Sequence, residues 1–300
     1  MLPLAADLIS DVPWGQLILN GLALGSLYAL TAFGIVLIYK TTRVITFAQG
    51  ETAMFCTFVA FTFLTTLQFP FAVAFLLTLL FAVAFGALIE RLVLRHISTD
   101  SALNPVIVTV GMSLILVGVA GWIWGYEIRT FPAPVSGPPL RVASLVLSQL
   151  NALILAVTLG LMAILFAFFR FSPTGIAMRA VAQNRTAAQL MGISIARMNG
   201  LGWGLGTAMG AVTGMLIAPL NYLDPGMMGD VALKAFAAAV VGGLTSLPGA
   251  VVGGLLLGII DSIVGFEVPE LRNTIAFTLI VLVLVVRPGG LLGRHEIKKV

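Results

Sequence analysis

The chain has 300 residues, of which 59% are hydrophobic and 9% charged, with a net charge of +4. Ordinary globular domains carry about 25% charged residues, so a water-soluble fold is excluded and most side chains must face lipid or other apolar helices. The basic residues lie in short clusters between apolar runs rather than in one stripe, which argues against a nucleic-acid surface.

The first 15 residues contain no Lys or Arg but carry Asp7 and Asp11, so they lack the basic start of a cleavable signal peptide and the first helix is expected to insert uncleaved. A bilayer core is crossed by about 20 apolar residues in a helix. The runs that meet or approach this length are 17–39, 52–67, 71–89, 104–125, 149–169, 200–220, 232–247, 250–265 and 274–286. The seventh and eighth are short and separated only by Ser246-Leu247-Pro248-Gly249, so they form either two tight spans or one re-entrant hairpin. The expected fold class is all-α: a polytopic membrane protein of about nine transmembrane or re-entrant helices, forming one domain over residues 1–300. The single cysteine, Cys56, lies in an apolar run and reads as a packing residue.

The basic residues also orient the chain. Lys40, Arg43, Arg91, Arg95, Arg170, Arg179, Arg185, Arg197, Arg287, Arg294, Lys298 and Lys299 fall in one set of loops. Arg129, Arg141, Lys234 and Arg272 fall in the other, a division of 12 against 4 among the 16 basic residues. Positive charge accumulates on the cytoplasmic side, so the N-terminus is expected outside and the C-terminus in the cytoplasm. Pro132, Pro134, Pro138 and Pro139 prevent the outer segment 126–148 from forming one continuous helix. The inner segment 170–199 reads as amphipathic helix, with Ile176, Val181, Leu190 and Ile193 among Arg179, Gln183, Arg185 and Gln189. Pro173 follows Ser172 as at a first helical turn. Small residues at four-residue spacing, above all Gly202, Gly206, Gly210 and Gly214, predict a close helix crossing within the chain or against another subunit.

Catalytic motifs are missing. There is no phosphate-binding G-x-x-x-x-G-K-[ST] loop and no H-E-x-x-H pair. His96 and His295 share no element, and no histidine lies within a span to activate Ser113 in Gly111-Met112-Ser113. No catalytic residue, metal ligand or cofactor is expected. Charges within spans are informative because each costs at least about 2.5–3.5 kcal/mol at mid-membrane. Glu90 precedes Arg91 at a rim, and Lys234 lies four residues after Asp230, an i,i+4 ion pair near the outer surface. Thr46, Gln49 and Glu51, around the helix-interrupting Gly50, are candidates for a pathway or gate, as is Asp261. Two acidic groups without a buried histidine make a poor proton or sodium relay, so the driving energy is expected from elsewhere.

Several stretches resemble the permeases of branched-chain amino acid ABC importers, specifically the shorter of their two paired membrane subunits. They are Asn20-Gly21-Leu22 with Gly25-Ser26-Leu27-Tyr28-Ala29-Leu30, Ile45-Thr46-Phe47-Ala48-Gln49-Gly50-Glu51, and Thr109 through Leu116. Further on come Gly242-Gly243 through Ser246, Pro248-Gly249-Ala250, Gly253-Gly254, Gly258 and Asp261, then Arg287-Pro288 and Gly290-Leu291. Thr186-Ala187-Ala188 and Gly192 keep the E-A-A…G spacing of the importers' coupling loop, with Thr186 in place of the acid. The resemblance implies that Arg179, Arg185, Thr186, Ala187, Ala188 and Gly192 receive an ATPase. It further implies a homologous second permease, two cytoplasmic ATP-binding subunits and a periplasmic solute-binding protein, in the bacterial inner membrane. The solute would be a branched-chain amino acid or a related amino acid or amide. A sugar-type ABC permease, and a carrier or channel working alone, are the competing readings.

Overall fold

The structure, a computed structural model, describes residues 13–97, 103–142 and 145–293. Asp7, Asp11, Arg294, His295, Lys298 and Lys299 lie outside the described residues. Each of the nine apolar runs forms one helix. In chain order these are α1 (Trp14–Thr42), α2 (Gln49–Thr65), α3 (Phe71–Leu92), α4 (Leu103–Trp124) and α5 (Gln149–Phe171), then α8 (Ile195–Asn221), α9 (Gly229–Gly242), α10 (Leu247–Glu267) and α11 (Arg272–Val286). Two shorter helices, α6 (Pro173–Gln183) and α7 (Arg185–Leu190), occupy the amphipathic segment.

Among the described residues, seven helices are long and apolar enough to cross a membrane: α1, α3, α4, α5, α8, α10 and α11, the last with its preceding 3₁₀ turn. The all-α polytopic class expected from the sequence is met, but a count of nine spans is not shown, because α2 and α9 have only 17 and 14 residues. A helix rises 1.5 Å per residue, so these two extend roughly 26 and 21 Å, less than the hydrocarbon thickness of about 30 Å. The proline-rich segment carries a two-stranded antiparallel hairpin instead of helix, β1 (Leu140–Val142) with β2 (Leu145–Leu147).

The loops described below gather at two ends of the bundle. At one, Gln16 brackets β2, donating to the Val146 carbonyl at 2.7 Å and accepting from its N–H at 2.9 Å. At the other, Arg43 at the end of α1 donates to the Ala182 carbonyl of α6 at 3.1 Å. The helix α8 begins at this second end and returns to the first, where Leu223 bridges Arg129. Thus α1 and α8 run antiparallel through the centre, both almost wholly buried.

The glycine run of α8 makes its close crossing inside the chain. Gly202 faces Thr41, Gly206 faces Gly34 and Ile38, Gly210 faces Ala53, and Gly214 faces Thr57. Lipid gives little hydrophobic drive between helices, so such backbone approach supplies the dispersion that holds them together. Gly254 lies on Ala29 and Gly258 on Gly25 in the same manner, which seats α10 on α1.

The core repeats itself. A long buried helix (α1 or α8) is followed by a short one (α2 or α9) and then by a helix packed on the long helix of the other set: α3 on α8, α10 on α1. Because α1 and α8 are antiparallel, the two sets form an inverted repeat. The α5–α7 segment links them. The remaining surfaces of α3, α4, α5 and α11 are mostly exposed and apolar, as lipid-facing helices are.

Candidate functional site

Thr46, Ala48, Gln49 and Gly50 are buried in the bundle, while Phe47 is 45% exposed and Glu51 is half-buried. The chain leaves α1 at Arg43 with φ 61° and turns back inward, so that α2 begins beside the middle of α8. Gln49, 2% exposed, donates from Nε2 to the Gly206 carbonyl at 2.8 Å. Ala53 and Thr57 then follow α8 along Gly210 and Gly214 toward the opposite end. Thr46, buried, accepts from the Ala48 N–H at 3.2 Å and holds the bend that starts the helix.

From the other set, α9 arrives at the same place. Gly50 touches Met228 and Ala232, the start of α9, and Phe47 lies 5.5 Å from Phe236. The first turns of α2 and α9 therefore meet partway along the bundle, where Gly229 and Asp230 are exposed, and their helices diverge toward opposite ends. Each carries an acid in that turn, Glu51 and Asp230, where the positive end of a helix dipole stabilises negative charge. Oε2 of Glu51 is buried without a hydrogen-bond partner among the described residues. The sequence holds a trace of this symmetry that hydropathy misses: Gly50-Glu51-Thr52-Ala53-Met54 against Gly229-Asp230-Val231-Ala232-Leu233.

Asp261 belongs to a charge cluster joining α1, α9, α10 and α11. Its Oδ1 is 2.9 Å from Lys234 Nζ and its Oδ2 is 3.1 Å from Arg272 Nη2, while the Tyr28 hydroxyl donates to Oδ2 at 3.0 Å. Lys234 also stands 5.8 Å from the Tyr28 ring centre. The side chains of Lys234 and Asp261 are 7% and 2% exposed. Here the structure corrects an expectation. Lys234 does not pair with Asp230 at the surface; it turns inward to Asp261, and Asp230 instead accepts from Asn273 at 3.4 Å. A buried ammonium needs a carboxylate more than an exposed one does, so the non-local pair forms. Glu90 similarly pairs with Arg95 at 2.8 Å rather than with its neighbour Arg91.

The amphipathic segment is a helical hairpin set by local capping. Ser172 accepts from the Gly175 N–H at 2.9 Å ahead of α6, and Asn184 from the Ala187 N–H at 3.0 Å ahead of α7. Arg185 is drawn into the chain, donating to the Thr41 carbonyl at 3.0 Å and to Asn199 Oδ1 at 3.2 Å. Burial, and then the neighbouring Arg43, lower its pKa below the ordinary arginine value. Arg179, Thr186 and Ala187 are exposed, whereas Ala188 is 3% exposed and packs inward. Gly192 lies beyond the end of α7 with φ 80°, a left-handed turn that glycine adopts readily. Ala187, Ala188 and Gly192, grouped by the coupling-loop resemblance, therefore do not form one outward surface. The prominent outward residues are Leu190, which the amphipathic pattern counted among its apolar positions, and Met191, which it did not, 84% and 82% exposed. Among the described residues no group of His, Cys, Asp and Glu is placed to hold a metal ion.

The seven membrane-length apolar helices among the described residues, packed around a buried charge cluster, define a multi-pass α-helical membrane protein. Residues 17–285 match the family described as branched-chain amino acid transport system / permease component, and the chain belongs to that family. It is 34% identical over 299 residues to the high-affinity branched-chain amino acid transport system permease protein LivH of Escherichia coli K12, covering 95% of this chain and 97% of that protein. BraD of Pseudomonas aeruginosa, described in the same words, is 34% identical over 300 residues with the same coverage. A probable LivH of Methanocaldococcus jannaschii is 28% identical over 307 residues, covering 95% of each. Among solved structures, PsaBC from Streptococcus pneumoniae in complex with Fab aligns over 96% of this chain and 97% of that one, with a TM-score of 0.49 and 13% identity.

Proposed function

We propose that the chain is the membrane-spanning permease subunit of an ABC importer that carries a branched-chain amino acid, or a related amino acid or amide, into the cytoplasm. The observation that carries this is family membership over nearly the whole chain, with three relatives whose names describe branched-chain amino acid transport. Transport proceeds by alternating access, powered by two ATP-binding subunits in trans. A homologous second permease completes the pathway, and a periplasmic binding protein delivers the solute. The protein has no enzymatic role of its own and resides in the bacterial inner membrane.

The architecture fits this role. Inverted repeats give two related packings of one core, and the meeting first turns of α2 and α9 supply a point partway along the bundle at which gates facing opposite sides can pivot. Thr46, Gln49 and Glu51 act there, with Asp261 on the neighbouring side of α9. Force arrives through α6 and α7: Arg179, Thr186, Ala187, Leu190 and Met191 face the ATPase, while Arg185, Ala188 and Gly192 hold the hairpin in shape.

The 12-to-4 basic asymmetry supports an N-terminus outside and a C-terminus inside. Cysteines at Arg179 and Ser136, both exposed and at opposite ends, then label from opposite sides of sealed cells; labelling of both from outside overturns the orientation. For the function itself, proteoliposomes holding this chain with its second permease and ATPases are expected to accumulate leucine only with binding protein outside and ATP inside. Leucine flux through the chain alone, independent of ATP, would show a carrier instead.

A further inference from the structure

We infer that the cytoplasmic half of this subunit carries a site for an anionic glycerophospholipid, in the groove between α1, α5 and α10. The groove has a volume of about 510 Å³, and its walls include Phe33, Met162, Phe166, Phe169, Val251 and Val252. Its floor is the contact of Phe33 with Phe169, ring centres 6.2 Å apart. Phe33 and Lys40 of α1 both line it, and their spacing at 1.5 Å per residue makes it roughly 10 Å deep along the bilayer normal. That is the upper part of an acyl chain, in a bilayer leaflet about 15 Å thick.

The rim is basic. Arg170 and Arg179 border this groove, and Arg179 also borders an adjoining cavity of about 480 Å³ lined by Arg43, Thr245 and Ser246. No acidic side chain is among the described residues lining either space. Arg170 stands 5.7 Å from the ring centre of Phe171, which is 73% exposed. A cation beside an exposed aromatic ring suits the headgroup level of a membrane, where both apolar and polar surroundings are met. An apolar wall reaching into the hydrocarbon beneath a guanidinium rim matches both halves of one ligand, the acyl chain and the phosphate. Basic pockets between helices on the cytoplasmic side recognise anionic lipids through this combination. A soluble phosphate compound would leave the apolar wall empty, and a zwitterionic lipid would bring its own cation to the rim.

The test is native mass spectrometry of the full-length chain, purified with the subunits that accompany it and titrated with phosphatidylglycerol, phosphatidylcholine or inorganic phosphate. Phosphatidylglycerol is expected to remain bound and to raise the melting temperature, and the other two to do neither. A lysine or arginine near an anionic surface contributes roughly a fivefold gain in affinity, so Arg170→Gln with Arg179→Gln is expected to weaken retention about twenty-five-fold. Ala163→Trp fills the apolar wall without touching a charge, and it too should displace the lipid. Equal retention of phosphatidylcholine, full retention by both variants, or stabilisation by inorganic phosphate would each overturn the assignment. So would a groove that binds no lipid because another subunit fills it. No arm reads transport, so failure here leaves the transport reading standing, and the converse holds as well.

Discussion

Removing the carboxylate of Asp261 is expected to destabilise the protein more than removing the ammonium of Lys234. Asp261 lies between two cations, at 2.9 Å from Lys234 and 3.1 Å from Arg272, and accepts from Tyr28 at 3.0 Å. With Asp261→Asn, Lys234 loses its anion in a site where its side chain is 7% exposed, and stranding one partner of a buried pair costs about 3–5 kcal/mol. Arg272, 41% exposed, can turn to water and adds little. With Lys234→Met, Asp261 keeps Arg272 and Tyr28, so the expected cost is about 1–3 kcal/mol, the range for one lost partner of a buried polar group. The double variant removes both charges, and its cost should fall short of the sum of the singles by about 2 kcal/mol, within the coupling range for contacting residues. Reversible unfolding in mixed micelles, followed by tryptophan fluorescence, measures all three. Additivity within about 0.5 kcal/mol, or a cost for Lys234→Met as large as for Asp261→Asn, would refute the cluster as described.

Three further outcomes are expected. Gly258→Ala places a methyl group against the backbone of Gly25 and should prevent stable folding. Gly111→Ala and Gly160→Ala, where a Cβ meets nothing within 4 Å, should each be neutral or stabilise by up to about 1 kcal/mol, which differential thermal melting resolves. Glu51→Gln keeps the shape of a side chain in the first turn of α2 but removes its charge; uptake assays should show a lower maximal rate with nearly unchanged solute affinity.

The helices were legible in the sequence because long apolar runs have few alternatives in a bilayer, and all nine runs became helices. What hydropathy could not convey is which runs face lipid and which face protein. The central pair α1 and α8 and the lipid-facing α4 and α5 are all apolar, and only the glycine spacing of α8 hinted at its interior position. The shortness of α9 was visible, that of α2 was not singled out, and α10, also expected to be short, is 21 residues long. The meeting of α2 and α9 depends on the chain turning inward after Arg43 and again after Asn221. The partner of Lys234 was misjudged because an i,i+4 rule knows only the helix on which a residue sits, and Asp261 comes from another. In the α6–α7 hairpin, the coupling-loop resemblance grouped Ala187, Ala188 and Gly192. The helix ends at Leu190, so Gly192 terminates it and the bulky Leu190 and Met191 are left outermost.

Those two residues offer the most direct test of the central claim, that this subunit is driven in trans through α6 and α7. Leu190→Asp with Met191→Asp alters only side chains that are 84% and 82% exposed, so membrane insertion and thermal stability should be unchanged. The measurement is ATP hydrolysis by the assembled importer, stimulated by solute-loaded binding protein, together with retention of the ATPase on the tagged permease. The account predicts loss of both. Full retention of the ATPase with normal stimulated hydrolysis would contradict it.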